Sequence, residues 1–198
     1  MQWYSRSILN RILSVVLAIN LLIAAVAGYY FVYTIEVKDS YSSLASDDLG
    51  QAITSLDVLT EFKTQVQEWK NVLIRGGDAS QREKYWARFK DSEANIQDEL
   101  KSLIPEVTNA EAKSLLQRFQ SAHRKMGDSY REGYQSFINS GFDASAGDTA
   151  VQGIDREPAE LIEKATESIR KAADAHLEKL NEEATEHSSP AHYSCWRL

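Results

Sequence analysis

EWKNVLIRGGDASQREKYWARF, residues 68–89, carries two tryptophans, a tyrosine, a phenylalanine and five basic side chains around a Gly-Gly pair. Trp69 and Leu73 before the glycines, and Tyr85 or Trp86 with Phe89 after them, keep the three-and-four spacing of a helix face. Gly76-Gly77 then reads as the break between two helices, which makes the stretch a bundle corner. Such a corner accounts for the aromatic residues. It does not account for the cations, since the 198-residue chain has a formal net charge of −7.

The same periodicity extends in both directions. Upstream the stripe is Leu49, Ile53, Leu56, Leu59 (or Phe62), Val66, Trp69 and Leu73, on a first helix of about residues 36–76. Downstream a second stripe runs Tyr85 or Trp86, Phe89, Ile96, Leu100, Leu103 and Val107. A third is Leu115, Phe119, Ala122, Met126, Tyr130, Tyr134 and Phe137, and a fourth Leu161 or Ile162, Ala165, Ile169, Ala172, His176 and Leu180. Ser80-Gln-Arg-Glu83 and Thr108-Asn-Ala-Glu111 have capping-box form, with the hydroxyl at the first position. Pro158 suits the first turn of the last helix. The breaks are Gly76-Gly77, PEVTN at 105–109, and the loop NSGFDASAGDTAVQGIDRE at 139–157. The expected fold class is all-α, with an antiparallel up-down-up-down four-helix bundle over residues 36–186.

Before the bundle lies ILSVVLAINLLIAAVAGYYFVY, residues 12–33, interrupted strongly only by Asn20. At helical rise it spans about 33 Å, enough to cross a bilayer core. Trp3 and Tyr4 precede it and Tyr29, Tyr30 and Tyr33 end it, as interfacial aromatics do. Arg6 and Arg11 lie on one side; Glu36, Asp39, Asp47 and Asp48, with Lys38, lie on the other. Positive-inside bias makes residues 1–11 cytoplasmic and exports everything after residue 36. Ala25-Val26-Ala27 has the small-x-small form of a signal-peptidase site, but the apolar run continues past it, which favours an uncleaved anchor.

Net acidity argues against nucleic acid as partner. One cysteine, Cys195, rules out an intramolecular disulfide and CxxC chemistry. No metalloprotease, haem-attachment, phosphate-loop or nucleophile-elbow motif is present, so neither enzyme chemistry nor a cofactor is expected. His123 and His176 flank or occupy seams and read as core histidines; a metal between them would lack the third and fourth ligands of a zinc site. Residues 187–198, HSSPAHYSCWRL in part, hold no heptad or span. A last helix starting at Pro158 needs about forty residues to return to the membrane. The architecture therefore expects a second span; a truncated chain would account for its absence, and an unusual natural tail is the alternative.

An N-in anchor, an exported bundle, EWKNVLIRG at 68–76 and GIDREP at 153–158 together resemble the sensor portion of bacterial methyl-accepting chemotaxis proteins. The resemblance covers essentially residues 1–186. It implies a homodimer, ligand capture toward the membrane-distal end, and relay by sliding of the last helix against the first. The sensor portions of histidine kinases and diguanylate cyclases share this form, and a non-sensing anchored adaptor is a further reading.

In an antiparallel bundle the Gly76-Gly77 turn and Pro158 lie at one end. Lys70, Arg75, Trp86, Arg88 and Arg156 are the candidate ligand-binding residues there, suited to a small anion such as an organic acid or amino acid. A partner binding protein is the other candidate ligand. The structural reading of the same residues is a solvated, ion-paired corner: Arg82, Lys84 and Arg88 paired with Glu83 and Asp91, Arg75 at a helix C-terminus, Arg156 beside Asp78 or Asp155, and Trp69 in the core.

Overall fold

The computed structural model describes residues 2–43 and 47–188 and divides into two units, Met1–Ser43 and Leu44–Leu198. Among the described residues there are six helices and no strand: α1 (Gln2–Ser43), α2 (Leu49–Arg75), α3 (Ala79–Glu106), α4 (Ala110–Asn139), α5 (Ala144–Val151) and α6 (Arg156–Ser188). The tail from residue 189, with Pro190, His192 and Cys195, and the side chains of Trp3, Tyr4, Arg6 and His187 lie outside what is described.

The first unit is α1 alone. Residues Ile8–Ser42 are long and apolar enough to cross a membrane, and Ala25–Ala27 sit inside the unbroken helix. The polar groups of the span fold back on their own backbone. Asn20 Nδ2 donates to Val16 O at 2.8 Å, and Thr34 Oγ1 to Tyr30 O at 2.7 Å. A polar side chain satisfied within its own helix is tolerated in hydrocarbon.

In the second unit α2, α3, α4 and α6 surround one core. Helix α2 packs on α3 and α6, and α4 packs on α6 and more lightly on α3. With short turns after α2 and α3 and a longer connection from α4 to α6, this ring fits the expected antiparallel bundle. Phe62, Trp69 and Val72 of α2 meet Phe89, Ile96 and Leu100 of α3, Phe119, Met126 and Phe137 of α4, and Ile162, Ala165 and Ile169 of α6.

The first half of α2 departs from the expected seam. Leu49, Ile53 and Leu56 are 45%, 60% and 48% exposed, whereas Gln51, Ser55 and Val58 are buried. The polar groups on the inward face have partners that a hydrophobic pattern does not register. Gln51 Nε2 donates to Glu106 O at 3.1 Å, at the end of α3. The Ser55 carbonyl accepts from Thr166 Oγ1 at 3.2 Å, and its hydroxyl bonds Ala52 O. Smaller shifts occur elsewhere: Leu116, His123 and Gly133 are buried in α4 beside the expected Leu115, Ala122 and Tyr134, and Ala173 in α6 beside Ala172. His176 is only half-buried, and its Nδ1 meets the Asp48 carboxylate.

Of the expected helix over 36–76, α1 takes in its start up to Ser43 and α2 the part from Leu49, and residues 44–46 between them lie outside what is described. The expected caps also move. Asp78 rather than Ser80 caps α3, accepting from Gln81 N at 2.9 Å, and Asn109 rather than Thr108 caps α4, accepting from Ala112 N at 2.9 Å. Both are extended residues whose short side-chain oxygens reach a first-turn amide.

The connection 139–157 is not a plain loop, because α5 forms within it, capped by Asp143. Helix α4 closes on a left-handed Gly141 (φ 78°), with Phe142 N donating to Phe137 O and Gly141 N to Ile138 O. The Phe137 and Phe142 rings meet edge-on at 5.7 Å, the hydrophobic contact that accompanies this cap. Arg82 ties this turn to the α2–α3 turn. Its guanidinium lies 4.3 Å over the Phe142 ring and donates to Gly76 O at 2.6 Å.

A polar ladder crosses the core. Arg124 Nε donates to Gln97 Oε1 (2.8 Å), which leaves Gln97 Nε2 to donate to His123 Nδ1 (2.8 Å). His123 Nε2 must then carry the proton and donate to Gln65 Oε1 (2.7 Å). Helices α2, α3 and α4 are thereby held in register. Burial lowers the His123 pKa to about 4 from 6.5.

Two outcomes follow from these contacts. Arg82→Ala should cost about 1–2 kcal/mol in denaturant unfolding, and Arg82→Lys should recover little, lacking the planar fork. The unfolded imidazole binds a proton that native His123 refuses, so stability should fall as pH drops from 6.5 toward about 4. By linkage the loss is on the order of 3 kcal/mol. A pH series of unfolding curves should show that loss in the native sequence and a flatter acid limb in His123→Gln.

Candidate functional site

The basic corner forms where α2 ends and α3 begins. The two helices face each other across the Gly76-Gly77 turn, which brings the cations of both around one ring. Arg75 Cζ lies 5.8 Å, Lys84 Nζ 5.4 Å and Arg88 Cζ 5.9 Å from the centroid of Tyr85, itself buried. The negative face of a tyrosine attracts cations, so Tyr85 organises a cluster that would otherwise repel itself.

Of the expected residues, Arg75 and Arg88 are therefore brought together. Arg88 also reaches Glu68 at 3.6 Å, across to α2. That pair replaces the expected one with Asp91, and Glu68 is further held by Asn71 Nδ2 at 3.1 Å. Lys70 is exposed on α2. Arg156 is exposed at the first position of α6, its Nε 3.5 Å from where a Cβ on Gly153 would stand.

Trp86 is placed differently from an exposed pocket wall. It stacks on Tyr134 at 4.2 Å and 5°, and on Phe89 at 5.0 Å and 10°. Trp69 meets it edge-on at 6.2 Å. Both aromatic faces of Trp86 are thus occupied by rings of α3 and α4. Trp69 is 2% exposed, a core residue as its stripe position implied.

Sequence reading missed the organising role of Tyr85 and the bond to Glu68. Tyr85 was visible as a seam residue, but its cation shell depends on the angle at which α2 and α3 meet. Glu68 and Arg88 are twenty positions apart, beyond any intrahelical pairing rule.

Elsewhere on the bundle two grooves lie along α4 and α6. One, of ≈ 390 Å³, is lined by Gln117, Arg118, Lys125 and Glu157 among others. The other, of ≈ 640 Å³, is lined by Leu115, Glu163, Lys164 and Lys171 among others. The corner residues line neither. Among the described residues no group of three or more His, Cys, Asp or Glu stands ready for a metal. His123 and His176 are engaged separately, in the core ladder and with Asp48. On the α2–α3 face the Glu99 carboxyl is pushed up, first by burial and then by Asp57 and Glu61.

Comparison with known proteins bears on what these elements belong to. No family model and no solved structure matches the chain. Over 140 residues it is 40% identical to the methyl-accepting chemotaxis protein CtpH of Pseudomonas aeruginosa. That alignment takes in 69% of this chain but 24% of the relative, so the chain corresponds to about a quarter of that protein. Identity at this level over an all-helical region, together with one long apolar helix, bears out the resemblance carried by EWKNVLIRG and GIDREP and fits a membrane protein. The chain is related by sequence to the bacterial methyl-accepting chemotaxis proteins, and it resembles the sensor portion of one.

Proposed function

We propose that this chain is the ligand-sensing portion of a chemoreceptor-like transducer, anchored by α1 with its N-terminus cytoplasmic and its bundle periplasmic. The observation that carries the reading is the 40% identity over 140 residues to a methyl-accepting chemotaxis protein. The charge asymmetry around the span, with Arg11 before it and Glu36 and Asp39 after it, supports the orientation. The ligand is a small anion, an organic acid or an amino acid, taken by the cations gathered near the α2–α3 turn. Arg75 and Arg88 supply planar donors for a carboxylate, and Lys70 and Arg156, exposed on α2 and α6, are the further cations offered to it. Relay is a shift of α6 along α2.

The working unit in this reading is a homodimer. Leu49, Ile53 and Leu56 form an exposed stripe at the start of α2. Leu177 on α6, also exposed, follows His176, which contacts Asp48 at the same level. An apolar stripe with one copy of itself available is the material of an isologous two-fold contact. The same stripe supports the alternative of a protein-docking adaptor with no small ligand.

Two experiments separate these readings. In a thermal-shift screen of the purified chain against small organic acids and amino acids, a true ligand at a hundred times its dissociation constant should stabilise by about 2.7 kcal/mol. Arg75→Ala, Arg88→Ala or Arg156→Ala should abolish the shift; stabilisation that survives all three would move the site away from the corner. In a Cys195→Ser background, Ile53→Cys should cross-link between copies in membranes on mild oxidation, while Thr64→Cys should not. No cross-link at Ile53 would leave the stripe to a different protein and favour the adaptor.

A further inference from the structure

The end of the bundle at the α2–α3 turn contains a feature separate from the basic corner. Helix α5 lies between two left-handed glycines, Gly141 and Gly153, each at φ 78°. Of its eight residues only Gly147 and Val151 are buried. It packs on α4 and, more lightly, on the end of α2. Its seat is made of missing side chains. A Cβ on Gly133 would stand 2.5 Å from Val151 Cγ1, and one on Gly147 would stand 2.6 Å from Leu73 Cδ2. The short helix therefore docks flush through two glycines, with little apolar area holding it.

Beneath it is Trp69. The outer edge of its indole lies 3.5 and 3.6 Å from the Cβ positions of Gly133 and Gly147. Its Nε1 is buried and has no hydrogen-bond partner. An indole N–H kept from water without an acceptor carries an uncompensated desolvation cost. Only two buried residues, glycine pivots at both ends and an unsatisfied donor underneath are the marks of a segment that opens locally.

We propose that α5 is a hinged cover that opens independently of the bundle and exposes the Trp69 indole N–H to a small uncharged molecule bearing a hydrogen-bond acceptor. The charge preference comes from the rim. Asp148 on α5 and Asp155 beyond it act on the Tyr130 hydroxyl, whose ionisation burial and then these two carboxylates push up. Tyr130 packs on Trp69 at 5.1 Å, so these carboxylates weigh against a carboxylate ligand at the indole, an effect that the Arg156 guanidinium beside Gly153 offsets only in part. The inference does not depend on the sensory reading, and its test leaves the corner arginines intact.

The test is hydrogen exchange of the full chain in nanodiscs, followed by NMR, with the Trp69 indole signal assigned through Trp69→Phe. The Trp69 N–H should be at least about 100-fold less protected than the Phe89 and Ile96 amides, as expected of a sub-global opening. Acetamide, used as the uncharged acceptor, should shift the Trp69 N–H resonance and saturate; acetate should not. Gly147→Val, which wedges α5 from its seat, should lower Trp69 protection further and leave Phe89 unchanged. Trp69 protection equal to that of Phe89 and Ile96 in the native sequence would overturn the cover, whether or not the variant folds. No response to acetamide, or an equal response to acetate, would overturn the uncharged ligand.

Discussion

The half of the bundle at the α2–α3 turn depends on the burial of Trp69. Its indole meets Tyr130, Trp86 and Phe89 edge-on and supports α5 through the Gly133 and Gly147 notches. One side chain from α2 thus contacts α3, α4 and α5 together. Aromatic contacts of this kind each add about 0.5–1.5 kcal/mol beyond area burial, and their geometry fixes the distances between helices. The stacked set Phe89, Trp86 and Tyr134 extends the arrangement outward, and the cations around Tyr85 sit at its margin.

The other half is held differently. Where α2 and α6 meet near residue 55, small or polar side chains, Ser55, Thr166, Ala165 and Ala173, are buried beside the aliphatic Val58, Ile162 and Ile169, with no aromatic ring among them. Hydrogen bonds to backbone carbonyls and the Asp48–His176 contact do there what rings do at the α2–α3 turn. Such an interface commits less apolar area per residue than an aromatic one, so a small axial displacement disrupts fewer contacts. Between the halves, the Gln97–His123–Gln65 ladder sets the register of α2, α3 and α4 but does not include α6. That asymmetry is the mechanical setting for the proposed shift of α6 along α2.

The basic residues of 68–89 divide by role. Arg82 is structural, bonded to Gly76 O and stacked on Phe142. Arg88 is shared between Glu68 and Tyr85. Arg75 and Lys84, both exposed, lie over the ring of Tyr85. The corner accordingly contains both the brace and the cations that an anion would need.

Much of the fold was legible in the residues themselves. The four bundle helices, the long apolar span and the breaks near 76, 107 and 140 follow from periodicity and from glycine and proline, which act on backbone geometry locally. The seam of α3 was readable for the same reason, since its inward face is apolar almost throughout. What only the tertiary structure decided involves partners distant in sequence. Gln51 could turn inward because Glu106 O was present to accept from it, and Ser55 because its hydroxyl bonds back to Ala52 O while its carbonyl takes the Thr166 hydroxyl; Leu49, Ile53 and Leu56 then face outward. Helix α5 forms because Gly133 and Gly147 leave it a place to dock, and the Tyr85 cation shell exists because α2 and α3 meet where they do. Local propensity is a property of a few neighbouring residues, whereas satisfaction of a buried polar group depends on what the rest of the chain brings to it.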